Sequence, residues 1–342
     1  MEYVFIDVLT KERRGLCTWE PVRDRLAGLW FRPNSKGSIR LSQLDLTTRR
    51  IVLPLSSSQW QTLKPETRRM LYTHAEKSAS RLGSRLVALN RSLRLPVQAW
   101  QASGICQVGG DFFIPALALV LLENEFTLNR REKLWLVGDF PGLISLVTLI
   151  GRLGIPVTVQ TSNPSRLEPI AYRLMYEEGA AVSLGNFNPD SWGSRDVVMV
   201  FDQAYLPFVP AAARGRGVLV VDLTDSSTFL APRLEAELQE QGVDGSLKVT
   251  APLLEAWLWA RGFGSTEMPA VGEPKPPEAT PVTPTGNDSR PGTKNPLNAA
   301  REAAWKISRF KQKGHELGLW RFFLDKGFRA LYNTTQGKGA AG

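Results

Sequence analysis

Hydrophobic and polar positions change period several times along the chain, and the sharpest change lies in residues 134–154. A four-residue apolar run there stops at Gly138 and Asp139. A turn with Pro141 and Gly142 follows, and an apolar run at helical spacing then ends near Gly154. Residues 155–159 form a second apolar run. This is the pattern of a strand, a glycine turn, a helix and a parallel strand, with the turn at the carboxyl ends of the strands. The alternation continues downstream. Residues 165–178 read as a helix and 181–184 as a short strand, while DVVMVF (196–201) and GVLVVD (217–222) are continuous β-branched runs. Runs of that kind suit strands buried on both faces of a parallel sheet. Residues 230–241 and 253–261 complete the unit as helices. The expectation is an α/β fold with a doubly wound, Rossmann-like parallel sheet over residues 130–262.

Upstream, residues 1–125 read as a smaller α+β domain. Residues 3–8 and 51–55 look like strands, 20–29 like a short helix, and Pro65 opens a longer helical segment that Gly83 breaks into two. Residues 104–111, GICQVGGD, read as a glycine-rich connector leading into a buried helix over 112–125. Downstream, residues 265–296 hold eight prolines and almost no large apolar residue, the composition of a flexible linker over 265–297. Residues 298–335 are then amphipathic. Leu317, Trp320, Leu324, Phe328 and Leu331 recur at spacings of three and four between charged positions.

Composition sharpens this picture in two places. The formal net charge is +9, and from Asn298 onward nine Lys or Arg stand against three acids, so most of the excess belongs to the C-terminal segment. Aromatic residues beside basic ones on an amphipathic helix suit an anionic membrane surface or a groove on a protein partner. The alternative is an apolar stripe that folds back on its own body or pairs with a second copy of the chain, a homo-oligomer. Charge alone is no specific nucleic-acid signal. The two cysteines, Cys17 and Cys106, have neither metal nor disulfide spacing, which fits a reducing cytoplasm, and no metal site is expected. The apolar stretch 112–122 is shorter than the roughly 20 residues of a membrane span.

The candidate chemistry centres on the turn after the first strand of the sheet. A dinucleotide-binding turn uses three glycines: for the bend, for approach of the pyrophosphate, and for helix packing. Gly138 occupies the first place, neither of the other two places holds a glycine, and Gly142 is off register by one. Pro141 lacks an N–H, and Asp139 brings negative charge to the turn. After the second strand come Asn163 and Arg166, with no acid; a basic residue there suits a 2′-phosphate and hence NADP over NAD. The cofactor-binding candidates are Gly138, Phe140, Gly142, Asn163 and Arg166. The candidate nucleophile and base are Cys106 and His74, against which stands a buried thiol and a histidine on a helix face. Asp111, Asp139, Asp202 and Asp222 lie near element ends, where turn and cap chemistry places acids.

The order Asn163, Arg166-Leu167, DVVMVF, GVLVVD resembles the cofactor domains of shikimate dehydrogenase and glutamyl-tRNA reductase. Long-chain acyl-carrier-protein reductases, which make fatty aldehydes, are similar over a longer stretch, roughly residues 50–225. That stretch includes RRMLYTHAEK (68–77) and the glycine-rich connector. The resemblance implies an NAD(P)-dependent reductase acting on a small acyl or carbonyl substrate. The chain departs from those reductases in its degenerate glycine turn and in having no cysteine after Cys106. Two functions therefore stand side by side: an NAD(P)-dependent oxidoreductase, and a non-catalytic Rossmann-like protein that binds a small ligand or a partner and docks through its basic tail.

Overall fold

The chain folds around two five-stranded sheets joined by long helices. In this computed structural model residues 3–9, 34–93, 105–129, 132–209, 213, 217–263 and 296–323 are described. The helix read at 20–29 and the linker at 265–295 lie outside them.

The second sheet is the expected one. It is built from β6 (Leu134–Val137), β7 (Val157–Gln160), β8 (Val182–Gly185), β9 (Val197–Val200) and β10 (Leu219–Asp222), in the order β10-β9-β6-β7-β8, with every neighbouring pair parallel. Counted within the sheet this is 3-2-1-4-5, the strand order of a dinucleotide-binding half with its switch point between β6 and β9. The continuous apolar runs are explained by burial on both faces. Leu134 and Leu136 enter the main core, while Trp135 and Val137 enter a second cluster with Trp192, Val198 and Val200. On the main-core side lie α4 (Leu143–Arg152) and α5 (Glu168–Glu178). On the other side the cover comes from Phe187, Trp192, Tyr205 and Val209, in loops and short 3-10 turns.

The first sheet contains β1 (Tyr3–Leu9), β2 (Asn34–Leu41), β3 (Leu46–Ser56), β4 (Leu86–Leu89) and β5 (Cys106–Val108), ordered β2-β3-β1-β4-β5. Only the β2 edge is antiparallel. Two expectations change here. Residues 86–89 form a strand instead of a second helix, and 106–108 form an edge strand instead of a connector. Both assignments follow from tertiary pairing: Leu86, Val87 and Ala88 lie opposite Tyr3, Val4 and Phe5 on one side and Cys106, Gln107 and Val108 on the other. Four-residue apolar runs carry no period of their own. One face is covered by α1 (Ser57–Thr62), capped by a Ser56–Gln59 box, and by α2 (Pro65–Arg81).

The joint between the sheets is helical. Helix α3 (Phe113–Asn129) is apolar on all sides over its first ten residues, and Pro115 is tolerated because it sits in the first turn. It packs on α7 (Leu247–Gly262), which lies against β4 and β1. Helix α6 (Pro232–Glu240) closes the antiparallel edge, where Ser42 Oγ donates to Glu237 at 2.5 Å.

Residues 296–323 of the C-terminal segment fold back onto this joint, and Leu324, Phe328 and Leu331 of its expected stripe lie outside the described residues. Helix α8 (Pro296–Glu316) runs along α3 and α4. Phe310 stacks on Phe112 at 5.8 Å and meets Trp259 and Phe263, while Trp320 and Phe323 each come to 5.5 Å from Phe113. Trp320 Nε1 donates to the Lys311 carbonyl at 2.8 Å, and the Ala231 N–H donates to the Phe322 carbonyl at 2.7 Å. Gly314 and Gly318, which weaken an isolated helix, are used in packing and turning: a Cβ on Gly314 would lie 2.4 Å from the Trp320 ring, and Gly318 has φ +65°. Trp305 stays half-exposed beside Arg309. Among the described residues no helix is long and apolar enough to cross a membrane.

Candidate functional site

The turn after β6 sits at the switch point. Gly138 has φ +101°, and a Cβ there would lie 2.5 Å from Asp202 Cβ, so the absence of a side chain lets β6 and β9 close up at their carboxyl ends. Asp202 is held by its own turn, accepting from the Ala204 N–H at 2.9 Å, and Asp222 at the end of β10 likewise accepts from the Thr224 N–H. Both acids do the turn chemistry read from the sequence. Gly142, with φ +87°, begins α4 and faces the Asp111 carbonyl and Pro115, each 3.3 Å from a Cβ placed there. Between the glycines, Phe140 stacks on Phe201 with ring centroids 3.8 Å apart and planes 14° from parallel. The stack joins the glycine turn after β6 to the residue that follows β9, with Phe201 in the main core and Phe140 packed against it.

The end of β7 adds the other candidates. Asn163 precedes the short 3-10 turn Pro164–Arg166, and its N–H donates to Thr161 Oγ1 at 2.9 Å. Arg166 is exposed. Ser162 Oγ donates to Asp139 at 3.1 Å and so ties this loop to the glycine turn. Gly138, Phe140, Gly142, Asn163 and Arg166 are thus brought to one edge of one sheet. The charge at its centre is negative: burial raises the Tyr205 hydroxyl pKa, and the Asp202 and Asp139 carboxylates add to the rise against a hydrogen bond with Ser162.

Cys106 and His74 are not brought together. Cys106 lies on β5 with its side chain in the main core, while α2, which carries His74, packs on the opposite face of the same sheet through Leu71, Tyr72, Ala75 and Ala79. Burial pushes the Cys106 thiol up to about 11, and nearby Glu255 adds to this while Lys306 opposes it. A thiol so raised is a poor nucleophile at neutral pH.

Sequence reading missed three polar groups in the interior. Glu255 of α7 is buried and accepts from the Phe112 and Phe113 N–H groups at 3.0 and 3.1 Å, capping α3 from another helix. Burial drives its carboxyl up to about 8, and Asp111 adds to the rise; the two N–H donors and Arg91 pull it down. Its only sequence signal was one acid in the apolar run LLEAWLW. Asp7 on β1 accepts from Arg50, at 2.7 Å, and from Asn90 Nδ2, also at 2.7 Å, with Arg50 reaching on to the Gln241 and Gly242 carbonyls. Arg91 bonds Asp225, Asp111 and the Gly109 carbonyl, spanning the carboxyl ends of both sheets.

Beside Arg91 the two sheets leave a cleft of about 460 Å³. Trp60, Arg68 and Arg91 face it from the first sheet, Gln203 and Asp225 from the second, and Lys248 from the start of α7. A smaller cavity of about 240 Å³ adjoins it at the ends of β1, β3 and β4, with Ser57 and Lys248 shared. No cluster of metal-ligating side chains is found among the described residues.

No family profile matches the chain, and no curated protein does. Among solved structures it is similar to L-tryptophan dehydrogenase from Nostoc punctiforme, with 8% identity over 97% of this chain and 88% of that one and a TM-score of 0.37. Shikimate dehydrogenase from Aquifex aeolicus has 13% identity over 76% and 92%, TM-score 0.34. Ornithine carbamoyltransferase from Campylobacter jejuni has 12% over 75% and 87%, TM-score 0.36. Likenesses this distant bear on neither ligand nor chemistry. The Rossmann-like character of the second sheet rests on its own strand order and parallel pairing, and such a sheet hosts many functions.

Proposed function

We propose that this chain is a ligand-binding protein on a Rossmann-like body, with its dinucleotide cradle closed by its own side chains. The observation that carries this reading is the Phe140–Phe201 stack at the switch point, where a pyrophosphate and nicotinamide lie in proteins that bind dinucleotides. Its surroundings agree. Asp139 and Asp202 repel phosphate, and Pro141 removes a donor. Gly138 and Gly142 serve close contacts within the protein. The ligand space is the polar cleft between the sheets.

A second reading keeps the chain an NAD(P)-dependent oxidoreductase with a small acyl or carbonyl substrate. It draws on the gathering of Gly138, Phe140, Gly142, Asn163 and Arg166 at one carboxyl edge. Titration with NADPH and NADH, followed by fluorescence, separates the two. The closed cradle predicts no saturable signal with either nucleotide up to about 1 mM, the weak end of useful affinity. Saturable binding that Arg166→Ala weakens more for NADPH than for NADH would establish the second reading instead.

A further inference from the structure

We propose that the cleft between the two sheets is a receptor for a small oxyanion, a carboxylate or a phosphate group, with Arg68 and Trp60 as its recognition pair. The proposal rests on the reading of this cleft as the ligand space and names the chemistry it accepts. Three cations, Arg68, Arg91 and Lys248, line the cleft against one acid, Asp225. Two of the cations are already engaged: Arg91 with Asp225 and Asp111, and Lys248 with Asp244 at 2.8 Å. Arg68, on the first turn of α2, is left over, and its Nε–H is buried with no hydrogen-bond partner. Trp60, only 1% exposed, lines the same cleft, and its indole N–H is likewise buried without a partner.

Two residues lining one cleft thus each carry a buried donor without a partner, one of them on a cation, and such donors are costly unless an acceptor reaches them. Indole nitrogen donates only, and guanidinium is a donor fork that matches the two oxygens of a carboxylate or phosphate. A ligand without acceptor oxygens leaves that demand unmet, and an anion answers the charge of Arg68 as well. Lys248 is the second residue of α7, so the amino end of a 16-residue helix also faces the cleft and adds positive potential. Gln203 and Ser226 from the second sheet supply neutral polar groups for the rest of the ligand. The first-sheet lining of the cleft follows the carboxyl ends of β3 and β4, the two strands that flank β1.

The test uses the full chain, with inorganic phosphate and citrate as probes of the two oxyanion types. Calorimetry and thermal shift are run at constant ionic strength against sodium chloride. Wild type is expected to bind at least one probe saturably, and the probe that binds tells phosphate from carboxylate. Arg68→Gln should weaken that binding about tenfold or more, the scale of a lost charge-assisted bond. Arg68→Lys, which keeps the charge and loses the fork, should fall between, and it carries the comparison where the Gln variant is unstable. Trp60→Phe should weaken binding about threefold to tenfold, one neutral donor's worth. Arg195→Gln, on an exposed arginine that pairs with Glu132 and is not among the residues lining the cleft, should leave it unchanged. The proposal is overturned when neither probe binds saturably by about 10 mM, or when Arg68→Gln and Arg68→Lys both bind as wild type does. Failure of the closed cradle shows separately, as NADPH binding that Arg68→Gln leaves intact.

Discussion

The phenyl ring of Phe140 lies 3.8 Å from that of Phe201 and almost parallel to it, joining the glycine turn after β6 to the end of β9. Phe201 is nearly buried and Phe140 half-buried. Phe201→Ala should therefore destabilise the protein by about 3 kcal/mol, as for a buried Phe truncation. Phe140→Ala should cost about 1–2 kcal/mol, a partly exposed ring plus its stacking. The pair also divides the two functional readings. With the cradle closed, Phe140→Ala leaves NADPH binding absent or raises it; with the cradle open, the same change weakens it. Urea unfolding and the nucleotide titration read both.

Gly138 reports on the same junction through the backbone. Its φ of +101° is unsuited to an L side chain, and a Cβ would press on Asp202 at 2.5 Å with Asp202 N at 2.9 Å. Neither neighbour is the loose end of a flexible chain. Gly138→Ala should cost about 3 kcal/mol or more, combining backbone strain with a forced separation of β6 and β9. Gly154→Ala is the control. It shares a positive φ, +71°, but meets nothing within 4 Å, so it should cost about 1 kcal/mol.

Much of the second sheet was legible because its strands are continuous apolar runs bounded by glycine and helical spacing, so the period itself changes at each boundary. The first sheet was only half legible. Tyr3–Leu9 and Leu46–Ser56 announce themselves by β-branched content, whereas Leu86–Leu89 follows a strong helix and Cys106–Val108 is three residues long; both take their form from pairing with β1 and with each other. The turn candidates at 138–142 and 163–166 were read from local sequence and meet at one edge. The cleft was not readable. Trp60, Arg68, Arg91, Asp225 and Lys248 match no motif, and only the apposition of two sheets and α7 makes them neighbours. The unsatisfied donors on Trp60 and Arg68 are properties of packing, which spacing cannot express.

Glu255 gives the protein a distinct pH response. Its carboxyl is raised from 4.5 to about 8 in the fold, chiefly by burial. Between those values the folded chain holds a proton that the unfolded chain releases, so stability falls as pH rises through this window. Above about pH 8 both states are ionised and the fall from this group ends. The slope reaches about 1.4 kcal/mol per pH unit at its steepest. Glu255→Gln keeps an amide oxygen to accept from Phe112 and Phe113 and has no proton to lose. Its unfolding free energy should be flatter than wild type between pH 5 and pH 8, within the window set by the 4.5 and 8 of this group. Parallel curves for the two proteins would remove Glu255 as the cause.

The C-terminal segment docks through its aromatic side chains. Phe310, Trp320 and Phe323 are buried against α3 and α7, so this segment belongs to the body despite its separation in sequence. Charge pairs add to the docking at the rim, Arg301 with Glu177 and Glu178 at 2.9 and 3.0 Å and Lys311 with Glu123, but surface pairs of this kind contribute little each. The apolar contacts decide. Trp320→Ala removes a large side chain that is 2% exposed and leaves a cavity beside Phe113, so about 3–5 kcal/mol should be lost. Gly314→Ala is the finer probe. It improves helix propensity by about 1 kcal/mol yet places a Cβ 2.4 Å from the Trp320 ring. If docking outweighs propensity, Gly314→Ala lowers the melting temperature; a rise would show α8 to be held only loosely. In the double variant Gly314→Ala with Trp320→Ala the clash has no partner, so the alanine should then be neutral or stabilising. That reversal of sign, read from a double-mutant cycle, is the signature that Gly314 is glycine to seat Trp320.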